Sequence, residues 1–141
     1  MNEFLRGYAE RFAALDKDNL NLLDQIYSQN ICFADPLHEI QGLDSLREYF
    51  EQLYANVKDL KFEFHGFDQV CEGKGYLRWT MTYRHPRLSQ GELITVPGCS
   101  HLRWSDNKVF LHRDYFDAGA LLYEHLPVMG RVIGWLKGRL A

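Results

Sequence analysis

The sequence is poor in cysteine, with 3 in 141 residues. Cys32, Cys71 and Cys99 stand far apart, and none belongs to a C-x-x-C pair. That excludes a disulfide framework or a thiolate zinc centre and predicts free thiols in a reducing, cytoplasmic setting. No apolar run approaches the roughly 20 residues of a membrane span, so none is expected. The basic residues form no stripe and the net charge is −3, which argues against nucleic acid as a partner. The opening "MNEFLRGYAERF" is charged and amphipathic, unlike a secretory signal. Repeats, linkers and low-complexity segments are missing as well, so one domain over 1–141 is expected. His38, His65, His85, His101 and His125 lack ligand spacing. His112-x-Asp114 supplies two ligands without a third. No metal site or cofactor is expected.

What the chain does have is apolar and aromatic volume. Hydrophobic residues make up 46% and aromatics 14%, enough for a core and for the walls of a cavity. Residues 2–15 carry Phe4, Leu5, Tyr8, Phe12 and Leu15 at helical spacing, and a second short helix is expected through Leu20, Leu23, Ile26 and Tyr27. A strand follows and ends at Asp35-Pro36. "HEIQG" (38–42) reads as a short strand or hairpin arm. Residues 44–57 form a helix with Leu46, Tyr49, Phe50, Leu53 and Val57 on one face. The period then changes to two. Strands are expected over 60–70, 76–83, 92–104 and 108–116, the third bent or bulged at Pro97-Gly98. A short helix near 118–126 and an amphipathic segment at 128–140 complete the chain. The latter sets Arg131, Lys137 and Arg139 against an apolar stripe, to close the fold, pack on a partner or touch a membrane surface. Helices first, then a long antiparallel meander, is an α+β pattern, with a strongly curved sheet wrapped around the helices.

Two carboxylates break this pattern. In "ICFADPLHEI" (31–40), strand alternation points Asp35 the same way as Ile31 and Phe33, toward the core. A buried unpaired carboxylate costs several kcal/mol. The other reading of Asp-Pro is a turn whose side chain caps a backbone N–H. In the last strand, alternation groups Phe110, His112, Asp114 and Phe116 on one face and Val109, Leu111, Arg113 and Tyr115 on the other. Asp114 thus repeats the puzzle. The outer row Val109, Leu111, Tyr115 is expected to form a homodimer interface.

"LDKDNLNLLDQIYSQNICFADPLHEIQGLDSLREYF" and "HLRWSDNKVFLHRDYFD" resemble the NTF2-like superfamily, in particular its SnoaL-like branch. The resemblance implies a cone, a curved mixed sheet around the N-terminal helices with a pocket at its open end. It also implies relatives that are ketosteroid isomerases, polyketide cyclases or limonene-epoxide hydrolases, besides many without catalytic activity. In the isomerase pattern, Asp35 falls on the proton-transferring base, while the oxyanion donors fall on Arg11 or Phe12 and on Ser100. In the hydrolase pattern, "HRDYFD" (112–117) puts Asp114 on the water-activating position, while the Arg and acid of the middle strand fall on Trp79 and Met81. Neither reaction is expected with those groups replaced. The resulting expectation is a pocket for a small apolar or aromatic molecule. Asp35, Asp114 and His112 are its catalytic candidates, and Phe33, Trp79, Met81, Ser100, Leu102, Trp104 and Phe116 line it. The two carboxyls are expected to share one water and one proton at neutral pH. A non-catalytic binding protein and a dimeric interaction module remain the alternatives.

Overall fold

A computed structural model describes residues 1–119 and 127–140. It has helix α1 (Glu3–Ala13), a 3-10 turn (Leu20–Leu22) running into α2 (Leu23–Ile26), strands β1 (Tyr27–Ala34) and β2 (Glu39–Gln41), and helix α3 (Leu43–Asn56). Strands β3 (Lys58–Cys71), β4 (Lys74–Arg84), β5 (Ile94–Ser105) and β6 (Lys108–Phe116) follow, and helix α4 (Pro127–Leu140) comes last. The strands make one mixed sheet in the order β2-β1-β6-β5-β4-β3, in which only β1 and β6 run parallel. The α+β fold with N-terminal helices is therefore as expected. The short helix near 118–126 falls mostly outside the described residues.

Helices α1 and α3 lie on one face of the sheet, where α1 packs on β3 and β4, and α3 on β1, β2 and β3. Their apolar stripes supply Leu5, Tyr8, Phe12, Leu46 and Phe50, which meet Ile31, Phe33, Leu77, Trp79, Leu102 and Val109 from the strands. Each such side chain stabilises the fold by about 1.5–3 kcal/mol when fully buried. Tight turns set the strand pairing. Asp106 and Asn107 both take positive φ, as a two-residue hairpin turn demands, and close β5 onto β6 at Ser105 opposite Lys108.

Four expectations change. Tyr27 opens β1 instead of closing the second helix; its extended backbone ends α2 after one turn. The expected bulge at Pro97-Gly98 is not there: β4 and β5 pair without a break from Lys74–Arg103 to Tyr83–Ile94. Pro97 lies just past Gly98, the last β5 residue that pairs with β6, so its missing N–H breaks no bond on that edge. The irregularities sit elsewhere, three of them between β3 and β4, and the sheet is not strongly curled. Finally, the register between β5 and β6 shifts between Arg103–Leu111 and Trp104–Val109, leaving Phe110 as the extra residue. A one-residue bulge reverses the facing of what precedes it. Val109 is consequently fully buried in the core. Phe110 instead lies under the exposed Arg103 guanidinium, 5.5 Å from it. Val109 drops out of the expected interface, and Phe110 out of the inner row.

Candidate functional site

The parallel pairing of β1 with β6 sets Phe33 beside His112 and Ala34 beside Arg113, so Asp35, just past the end of β1, follows the register toward Asp114, which is still within β6. Their surroundings differ, and each carboxylate has its own donors.

Asp114 is the sink of a buried chain of hydrogen bonds. Trp79 Nε1 donates to Ser100 Oγ over 2.8 Å, and Ser100 Oγ donates to Asp114 Oδ1 over 2.5 Å. From the other side His112 Nε2 reaches the same oxygen at 2.6 Å. With Nε2–H donating, His112 Nδ1 accepts from the Tyr27 hydroxyl at 2.8 Å, with the Tyr8 hydroxyl at 3.2 Å from it and 2.7 Å from Tyr27. Ser100 and His112 are buried polar residues of the core, and the chain explains how they are tolerated. Local structure builds it. Gly98 lies opposite Trp79, and its bare Cα lets the indole lie across β5 toward Ser100; a Cβ there would stand 2.2 Å from the ring. Burial pushes the Tyr8 and Tyr27 phenols well above their usual range, so both remain donors. The cavity beside Asp114, lined by Phe12, Phe62, Phe64 and Trp79 among others, measures about 10 Å³. That is room for about one water and no substrate.

Asp35 caps the turn behind β1. Its Oδ1 accepts from the backbone N–H of Leu37 (2.8 Å) and His38 (2.7 Å) and lies 3.1 Å from His38 Nδ1, while Tyr49 donates to Oδ2 at 3.3 Å. The turn reading and the inward reading are thus both partly right. The side chain is only 5% exposed and caps the backbone, yet it also holds two side chains in place. His38 and Tyr49 pack at 4.9 Å between ring centres. Both line the large cavity, about 380 Å³, between α3, the start of β3, the end of β4 and the loop after it. Leu53, Val57, Leu60, Met81 and Leu88 form its apolar wall. The Tyr49 phenol is pushed far up, first by burial, then by the charge and hydrogen bond of Asp35, with a further contribution from the charge of Asp114. Tyr49 is the residue through which both carboxylates are felt.

Of the candidates read from the sequence, Met81 lines the large cavity, whereas Trp79, Ser100, His112 and Asp114 line the small one. Phe33 packs edge-on against His112 at 4.8 Å, and Phe116 lies 6.4 Å from Trp79. Leu102 is ordinary core, and Trp104 stacks on Phe4 of α1 at 4.4 Å. Sequence reading missed Tyr8, Tyr27, His38 and Tyr49 as site members. Tyr8 carried a signal, one helical turn before Phe12 on the same face; Tyr27 carried none once placed in a helix. Among the described residues no group of His, Cys, Asp and Glu is arranged to hold a metal ion.

The fold has parallels among solved structures. TsrD from Streptomyces laurentii superposes with a TM-score of 0.73 at 18% identity, covering 88% of this chain and 95% of that one. An LEH-like epoxide hydrolase of M. tuberculosis gives 0.68 at 16% identity, over 89% and 92%. A protein with a ketosteroid isomerase-like fold from Catenulispora acidiphila, in complex with trimethylamine, gives 0.72 at 12% identity, over 85% and 89%. At such identities the likeness is one of fold. Residues 8–112, from the first network tyrosine to the network histidine, match the model of the SnoaL-like domain. The chain is a member of the SnoaL-like domain family, within the NTF2-like superfamily.

Proposed function

We propose that the chain binds a small, largely apolar molecule in the 380 Å³ cavity and presents to it a histidine and a tyrosine positioned by Asp35. The observation that carries this reading is the arrangement of Asp35 with His38 and Tyr49, whose rings line that cavity. A volume of this size suits a small organic ligand, and an apolar wall with few convergent polar groups is the usual make-up of such sites. With Nδ1 held by Asp35, His38 offers Nε2 to a ligand, and a carboxylate behind an imidazole favours proton transfer through the far nitrogen. Isomerase-, cyclase- or hydrolase-like proton transfer is the chemistry these groups suit. In this reading Asp35 is a positioning residue, and Asp114 with His112 governs the single water-sized space beside it.

A second reading, binding without turnover, is favoured by one observation: Asp35 Oδ1 already accepts from two backbone N–H groups and Oδ2 from Tyr49, so the carboxylate is committed to partners within the protein. The free thiols suit the cytoplasmic setting proposed for the chain.

The test is titration with an anilinonaphthalene sulfonate dye. Met81→Asp, which places a negative charge in the apolar wall against an anionic dye, should weaken dye binding by about tenfold or more. Unchanged affinity in a folded Met81→Asp protein would sink the cavity assignment. His38→Gln should leave dye affinity within about twofold, because the wall is intact. In a screen of small ketones, esters and epoxides, a turnover lost in His38→Gln would separate catalysis from simple binding.

A further inference from the structure

We infer that α4 is an interfacial anchor that lays the protein on an anionic phospholipid surface. Several of its large apolar side chains are exposed. Val132 is 45% exposed, Trp135 60%, Leu136 43% and Leu140 87%. Arg131 and Arg139 are exposed as well. A helix of 14 residues with glycine at 130, 134 and 138 is marginal in water without a surface to bury its apolar side.

The composition indicates which surface. At 100° per residue, Val132, Trp135, Leu136 and Leu140 occupy one arc, and Gly134 and Gly138 the other side, flanked by Arg131 and Lys137. Arg139 falls within the apolar arc, and its guanidinium sits over the Trp135 ring at 5.2 Å. That pairing suits the headgroup level of a bilayer, where an indole and a snorkelling arginine both find their preferred depth. The chain as a whole carries a net charge of −3, yet α4 holds Arg131, Lys137 and Arg139 and no acidic residue. A cationic helix on an otherwise acidic protein matches a negatively charged surface and turns the body away from it. At about 1.5 Å per residue the helix is too short to cross a bilayer, and no described helix is long and apolar enough to do so. It therefore lies in the plane of the interface. Lys137 Nζ reaches Asp117 at 2.5 Å, which ties the helix back to the residue after β6.

Co-sedimentation of the whole protein with vesicles tests this. The protein should pellet with vesicles of phosphatidylcholine mixed with phosphatidylglycerol, stay in solution with phosphatidylcholine alone, and be released by high salt. Arg131→Glu with Arg139→Glu should weaken vesicle binding by at least about tenfold, since each basic residue near an anionic surface adds about fivefold. Trp135→Ser should weaken it too and remove the blue shift of tryptophan emission, because Trp79 is buried and Trp104 stacked on Phe4. All three substituted residues are exposed, so thermal unfolding should be unchanged. Failure to bind anionic vesicles, or binding that survives the charge reversal, overturns the proposal. So does a lipid-free dimer that these α4 substitutions dissociate, which would make a second copy the occupant.

Discussion

Tyr8 and Tyr27 show how a single hydroxyl acquires a pH signature. Both are buried, and both phenols are shifted up, chiefly by burial. Their ionisation in the unfolded chain begins near the ordinary value of 10.0, whereas the folded protein retains those protons to higher pH. The folded pKa lies above the unfolded one, so the stabilisation is complete below pH 10.0 and is lost as pH rises through the folded value. Denaturant midpoints should therefore fall steeply above that pH. In Tyr8→Phe/Tyr27→Phe the alkaline decline should be shallower, while stability at neutral pH drops by about 1–3 kcal/mol because His112 Nδ1 loses its partners. An alkaline slope equal to that of the unsubstituted protein would show that these phenols do not titrate in the folded state as described. The two carboxylates teach a related lesson. Alternation along one strand suffices to mark Asp35 and Asp114 as unusual. It does not show that Asp35 is met by Tyr49 of α3, or Asp114 by Ser100 of β5, because those donors come from other elements of the chain.

At the scale of the element, β5 depends on a residue with no side chain. Gly98 stands opposite Trp79 and under its six-membered ring, within a ladder that runs unbroken on both sides. Gly98→Ala would set a methyl 2.2 Å from a buried ring carbon whose indole N–H is committed to Ser100. The expected cost is about 1–3 kcal/mol, as for overpacking elsewhere. Loss of near-ultraviolet dichroism from Trp79 should accompany it, through displacement of the indole from Ser100. A Gly98→Ala protein with unchanged midpoint and unchanged dichroism would mean that the ring has free space to move. Long, strongly periodic elements were legible from sequence: α1, α3 and each long strand lie within a few residues of their expected bounds. The bulge at Phe110 was not. A bulge is one extra residue in a strand, and nothing in "KVFLHRDYF" distinguishes it from regular alternation until the partner strand is in register.

For the whole molecule, the outer face of β4, β5 and β6 is a candidate for self-association. Tyr115 is 51% exposed beneath Arg113, and Tyr76 stacks on His101 at 4.8 Å. His101 Nε2 is buried without a hydrogen-bond partner among the described residues. Sedimentation velocity at micromolar concentration is expected to show a homodimer, and Tyr115→Glu should shift it toward monomer. A monomer at that concentration would count against the interface. Such a dimer responds to Tyr115 and not to α4, which separates it from the membrane anchor.

What the sequence determined by itself was everything carried by local spacing: the order of helices and strands, the α+β class, and the oddity of two acids aligned with aromatic rows. These follow from side-chain periodicity along one element, which requires no knowledge of its neighbours. Only the tertiary structure decided what the acids do. The register of β1 against β6 brings them side by side, the bulge at Phe110 decides which residues of β6 face inward, and the packing of α3 puts Tyr49 beside Asp35 and opens the cavity below it. The reason is that a site is made of distances between residues far apart in the chain, and those distances are set by pairing and packing.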